Sequence, residues 1–121
     1  LSDPGARIVR EVLAAGFEVV PVPGASALLA ALVASGIAAE RVTFYGFIPR
    51  KGGRRSELLA EIARQEHTAV LYESPHRVAE LLQDLQAAAG PERRVAVARE
   101  LTKLHEELFR GTVPEALERF C

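Results

Sequence analysis

Apolar and polar positions change period several times along the chain, and those changes mark out its elements. Ile8, Val9, Val12 and Leu13 fall on one helical face, with Asp3 and Pro4 placed to start that helix and Gly16 to stop it. Glu18–Val22 (EVVPV) reads as a short strand, and its Pro21 points to an edge or a strand end. Pro23-Gly24 turns the chain, and Ser26 is set to cap a helix over Ala27–Ser35 that Gly36 closes. After a connector at 37–41, Val42–Phe47 reads as a strand. Ser56–Arg64 reads as a short helix with Leu58, Leu59 and Ile62 on its apolar face. Thr68–Tyr72 is a continuous apolar run of strand length, the pattern of a strand covered on both faces. Val78, Leu81, Leu82 and Leu85 recur at i, i+3, i+4 and i+7, as on a helix, which Gly90-Pro91 ends. Val95–Ala98 and Glu107–Arg110 read as strands, and Val113–Phe120 as a last helix with Pro114 in its first turn. Strands alternating with helices predict an α/β fold, with helices layered on a mixed sheet.

Composition narrows the classes. A length of 121 residues suits one domain of ordinary size, and 49% hydrophobic residues exclude a disordered chain. The one cysteine, Cys121, excludes an internal disulfide and a four-cysteine zinc site. His67, His76 and His105 have no i, i+4 partner, so no metal is expected. No apolar run approaches the roughly 18 residues that span a bilayer. Fifteen Lys and Arg against sixteen Asp and Glu leave a net charge of −1, so any attraction to nucleic acid must be local. The chain contains no methionine and opens on Leu1, which leads us to expect a processed or excerpted polypeptide. One strand between two helices cannot close a sheet. Residues 1–37 are therefore expected to be the tail of one domain, and 38–121 a second α/β domain.

Five segments carry candidate chemistry. Ser2-Asp3-Pro4-Gly5 precedes a helix, where it can meet an anion, an amine or a hydroxyl, or simply turn the chain. Pro23–Ala27 joins a strand to a helix, a preferred ligand position in α/β folds, and its small residues allow close approach. It lacks the spacing of a dinucleotide loop and the lysine of a P-loop. Tyr72–Arg77 puts Glu, Ser, His and Arg at a strand end. Ser74 lacks the flanking glycines of a nucleophile elbow, and helix capping competes with a Ser-His hydrolase for this segment. In Arg99–Glu107 six of nine residues can ionise, which fits either a site or a solvated connection. Arg50–Arg55 holds four cations in six residues without aromatics. That suits phosphate contact rather than base stacking, or plain solvation.

In their order along the chain, SDPG, VPGASA, GFIPRKGGRR, LYESPHR and ARELTKLHEE followed by RGT closely resemble the ribosomal-RNA branch of the tetrapyrrole (corrin/porphyrin) methylase family. The resemblance implies a two-domain cytoplasmic α/β enzyme that holds S-adenosylmethionine in the cleft between its domains. Its reaction would be methyl transfer to the ribose 2′-hydroxyl of a cytidine in the small-subunit ribosomal RNA of the 30S particle. Matched onto this sequence, the cofactor residues fall on Ser2, Asp3, Ala6, Ser26, Ala27, Glu73, Leu101 and Thr102. Glu100 is the candidate proton acceptor and Lys103 the candidate stabiliser of the developing alkoxide. Arg50, Lys51, Arg54, Arg55 and Arg77 are the candidate RNA contacts. A homodimer is expected. The resemblance also implies missing sequence before SDPG and after Phe120, so the fragment alone is expected to be inactive. Two alternatives stay open: a methylase of a tetrapyrrole or other small molecule, and a noncatalytic RNA-docking or dimerisation domain.

Overall fold

The computed structural model describes residues 1–121. In chain order the elements are α1 (Gly5–Ala14), α2 (Ala27–Ser35), β1 (Val42–Gly46), α3 (Gly53–Arg64) and β2 (Thr68–Leu71). A 3-10 turn at Pro75–Arg77 leads into α4 (Val78–Ala89), followed by β3 (Arg94–Arg99), β4 (Glu107–Thr112) and α5 (Val113–Phe120). The α/β order matches the expectation.

Both strand directions occur, but in two separate pairs. β1 and β2 are parallel, β3 and β4 antiparallel, and no ladder joins β2 to β3. Between them lies a cavity of about 980 Å³, walled by Thr68–Tyr72 on one side and Arg93–Ala98 on the other. Consecutive residues line it, whereas a strand face would contribute only alternate ones, so the edges of β2 and β3 look into the space.

Two apolar clusters hold the elements together. Ile48, Leu59, Ile62, Leu81 and Leu85 join α3 to α4, with Tyr45, Ala69 and Leu71 packed against them. Leu82, Val113 and Ala116 join α4 to α5, with Val95, Phe109 and Phe120 alongside, and Val113 is fully enclosed. α4 thus serves both clusters from adjacent positions of its apolar stripe. Each large apolar side chain among them contributes about 1.5–3 kcal/mol on burial. Arg93 closes the end of α3, its guanidinium donating to the carbonyls of Ile62 at 3.0 Å and Gln65 at 3.3 Å.

Four local expectations are corrected. Glu18–Val22 forms no strand, because no neighbouring edge pairs with it, and Val20 and Val22 stay exposed. Asp3 does not cap α1, whose first turn follows Pro4 without a side-chain bond. Ser74 likewise makes no capping bond to the turn that follows it. Finally, α3 begins at Gly53 rather than Ser56 and so takes Arg54 and Arg55 out of the loop. Ser26 does cap α2, its Oγ accepting from the Leu29 amide at 3.3 Å, and Gly36 closes the helix in the left-handed conformation.

Candidate functional site at the strand ends

The site grows from an irregularity in β1. Val42, Thr43 and Phe44 pair with Thr68, Ala69 and Val70, but Leu71 pairs with Gly46, so Tyr45 is an extra residue. The bulge lets Phe44 and Phe47 both pack edge-on against Tyr72, at centroid distances of 5.0 and 5.7 Å. Tyr45 instead joins the α3 side. Its hydroxyl lies 2.8 Å from Glu61 Oε1 and 2.7 Å from Gln65 Oε1. Burial, and then the hydrogen bond and charge of Glu61, push its phenol up to about 12.

Gly46 sits at the pivot with φ of +62°, a conformation that favours glycine. Its carbonyl accepts from the Tyr72 amide at 2.8 Å. A Cβ built on Gly46 would lie 2.7 Å from Ser2 Oγ, so the first loop of the chain rests on the end of β1. Nothing in the spacing of candidate residues singled out Gly46. The available signal was a lone glycine inside a strand pattern, which often marks a bulge or a close approach.

At this end the cavity is lined by Ala27, Phe47, Tyr72, Glu73 and Leu101. Three expected cofactor residues, Ala27, Glu73 and Leu101, therefore share one space. Ser2 does not line it and lies instead against Gly46, next to Phe47 in the chain. Asp3, Ala6, Ser26 and Thr102 do not line it. Ser26 is engaged as a helix cap, and the Thr102 amide donates to the Glu106 carboxylate. The Glu73 side chain is only 6% exposed, and its carboxylate accepts from the Ser74 amide at 2.7 Å and from Arg77 Nη2.

Two expected RNA contacts are corrected here. Arg55 is buried, its Nε and Nη2 donating to Asp84 Oδ2 at 2.9 and 2.7 Å and its Nη1 to the Pro49 carbonyl at 2.9 Å. It anchors the loop and presents nothing to a ligand. Arg77 turns toward Glu73, and its Nε and Nη1 are enclosed without a partner. Arg50, Lys51 and Arg54 are exposed, with Arg54 3.3 Å from Glu57. Glu100 and Lys103 form an ion pair of 3.1 Å on the turn after β3. Ser2, Glu100 and Thr102 are the three non-glycine residues with positive φ (55°, 50° and 66°), and all three are candidate site residues. Such strain clusters at functional sites.

The α/β fold carries its candidate motifs at strand ends, the place where folds of this class bind ligands. Residues 1–117 match the family model of the tetrapyrrole (corrin/porphyrin) methylases, and the chain belongs to that family. Among curated proteins it is 48% identical over 120 residues to ribosomal RNA small subunit methyltransferase I of Synechocystis sp., covering 99% of the chain and 43% of that relative. The protein of the same name from Haemophilus influenzae is 45% identical over 118 residues, covering 98% of the chain and 42% of the relative. That from Mycobacterium tuberculosis is 48% identical over 115 residues, covering 95% and 40%. The chain thus spans about two-fifths of the length of these relatives.

Proposed function

We propose that this chain, within a polypeptide of its relatives' length, takes part in S-adenosylmethionine-dependent methylation of small-subunit ribosomal RNA, at the 2′-hydroxyl of a cytidine. The observation that carries the reading is the 45–48% identity, over nearly the whole chain, to relatives named for methylation of that RNA. The residues present fit one wall of a site for the methyl donor. Ala27 and Leu101 offer apolar surface, and the Glu73 carboxylate lines the same space. When bound, S-adenosylmethionine would supply an electrophilic methyl group.

In this reading residues 1–37 belong to a cofactor-binding domain and 38–121 to a second domain. The protein's residues act by alignment and by handling a proton. In-line displacement depends on holding the attacking oxygen in register, which is the task of the strand-end loops. Glu100 accepts the proton of the ribose hydroxyl, and Lys103, 3.1 Å from Glu100, stabilises the developing negative charge. Arg50, Lys51 and Arg54 hold RNA phosphates. The exposed apolar side chains of α1, Ile8 and Leu13 among them, pair two copies in a homodimer. The cytoplasm, where ribosomes are assembled, is the proposed location.

The test is methyl transfer from a labelled donor to 30S subunits by a polypeptide of the relatives' length. Label is expected on one cytidine ribose, and little transfer is expected from the 121-residue chain alone. Glu100→Gln and Lys103→Ala should each lower the rate about 100-fold or more while donor affinity is retained. Full activity in both variants would remove these two roles. Transfer to a precorrin in place of RNA would move the proposal to a small-molecule substrate.

A further inference from the structure

We infer that Gly46 is the positioning residue for the candidate donor loop: the empty place of its missing side chain seats Ser2, while its carbonyl holds Tyr72 and, through it, Glu73. The inference rests on the reading of Ser2 as part of the donor site, and it explains how segments far apart in sequence arrive at one place. Three features of Gly46 act together. Its φ of +62° allows the turn that ends the bulge. Its carbonyl bond of 2.8 Å to the Tyr72 amide sets where β2 gives way to Glu73. Its bare Cα admits Ser2 Oγ to a position only 2.7 Å from where a Cβ would stand, closer than two such atoms approach.

Ser2 has a single side-chain torsion, so that clash is relieved only by turning Oγ about the Cα–Cβ bond or by moving the loop. Within this chain alone the loop is not held from behind. α1 buries no residue, and its apolar side chains Ile8 and Leu13 are exposed. The seat on Gly46 is therefore what registers residues 2–6 against the strand ends. A methyl group at position 46 would press Ser2 Oγ out of this seat and so release residues 2–6 from their one contact there.

Amide NMR and hydrogen exchange on the 121-residue chain test this directly. Gly46→Ala is expected to shift the resonances of residues 2–6 and speed their exchange, while the β3–β4 amides keep their protection. Adding Ser2→Gly to that variant removes the clashing oxygen and should return residues 3–6 toward their original shifts. Backbone strain at position 46, acting alone, would give no such recovery. Ser2→Asn approaches the same contact with Gly46 intact. It keeps a residue type that tolerates positive φ while overfilling the cradle, so it should displace the loop even if the Gly46→Ala chain fails to fold. Unmoved residues 2–6 in Gly46→Ala, no recovery in the double variant, or an undisturbed loop in Ser2→Asn would each overturn the inference.

S-adenosylhomocysteine affinity, measured in a polypeptide of the relatives' length, separates this inference from the reading beneath it. A loss of about tenfold or more in Gly46→Ala is expected, since small misplacements weaken an aligned site strongly. A loop that moves with affinity unchanged would uphold the positioning role and remove Ser2 from the donor site.

Discussion

Arg55 sits in a run of four cations in six residues, yet its guanidinium faces Asp84 and the Pro49 carbonyl rather than solvent. Its neighbours Arg50, Lys51 and Arg54 stay exposed, so the run divides by what lies behind each position. Replacing Arg55 with Ala leaves Asp84 unpaired and the Pro49 carbonyl without its donor. We expect a loss of about 2–3 kcal/mol, read as a lower urea midpoint. Arg55→Lys should recover only part of it, because an ammonium cannot reproduce the guanidinium's three bonds. Tyr45 carries a second residue-scale prediction. Its phenol gives up a proton near 10 when unfolded and near 12 in the fold. Between those values the unfolded chain sheds the proton first, so stability should fall as pH rises from about 10 to 12. Denaturation midpoints across that range test the slope, and Tyr45→Phe should reduce it.

Elements whose ends are written in local chemistry were legible in advance. Both bounds of α2 follow from Ser26 before it and Gly36 after it, which act within one turn of the helix they limit. Ser26→Ala should cost about 1 kcal/mol, measured by thermal unfolding. If Ser26 also touches the methyl donor, cofactor affinity will fall by more than that stability loss explains. α5 begins with the Thr112 amide donating to the Glu115 carboxylate at 2.7 Å, a bond that holds the Glu115 pKa below its usual value. Gly111 lies beneath, where a Cβ would stand 2.5 Å from Glu115 Oε2 and 2.7 Å from the Phe109 ring. Gly111→Ala should therefore lower stability by about 1–3 kcal/mol, through overpacking against the ring and displacement of the carboxylate. The strand expected at Glu18–Val22 failed for the opposite reason. Its apolar residues have strand character, but a strand exists only with a partner edge, and no local pattern supplies one.

At the scale of the molecule, charge and topology decide what the parts can do. A net charge of −1 gives no general pull toward RNA, so the contact proposed for the exposed Arg50, Lys51 and Arg54 would be a local one. Replacing Arg50, Lys51 and Arg54 with Ala in a polypeptide of the relatives' length should reduce the salt slope of RNA binding by about two. Arg55 is left out of that set because its charge is committed inside the fold. An unchanged slope would remove the three from the RNA interface. The cavity between β2 and β3 brings Ala27, Glu73 and Leu101 to one end of a shared space, although they lie in three separate motifs.

What this sequence determined by itself was whatever depends on neighbours within a few positions: helical and strand periods, the cap at Ser26, the stop at Gly36, and motif strings specific enough to point to the family. The tertiary structure decided the rest. It turned Arg55 toward Asp84 and Arg77 toward Glu73, split the strands into two pairs, and made Tyr45 the extra residue that leaves Gly46 left-handed beneath Ser2. The physical reason is separation along the chain. Ser2 and Gly46, or Arg55 and Asp84, meet only when distant elements pack. The fit of one missing Cβ, or of one guanidinium between a carboxylate and a carbonyl, is a property of that packing rather than of any local run of residues.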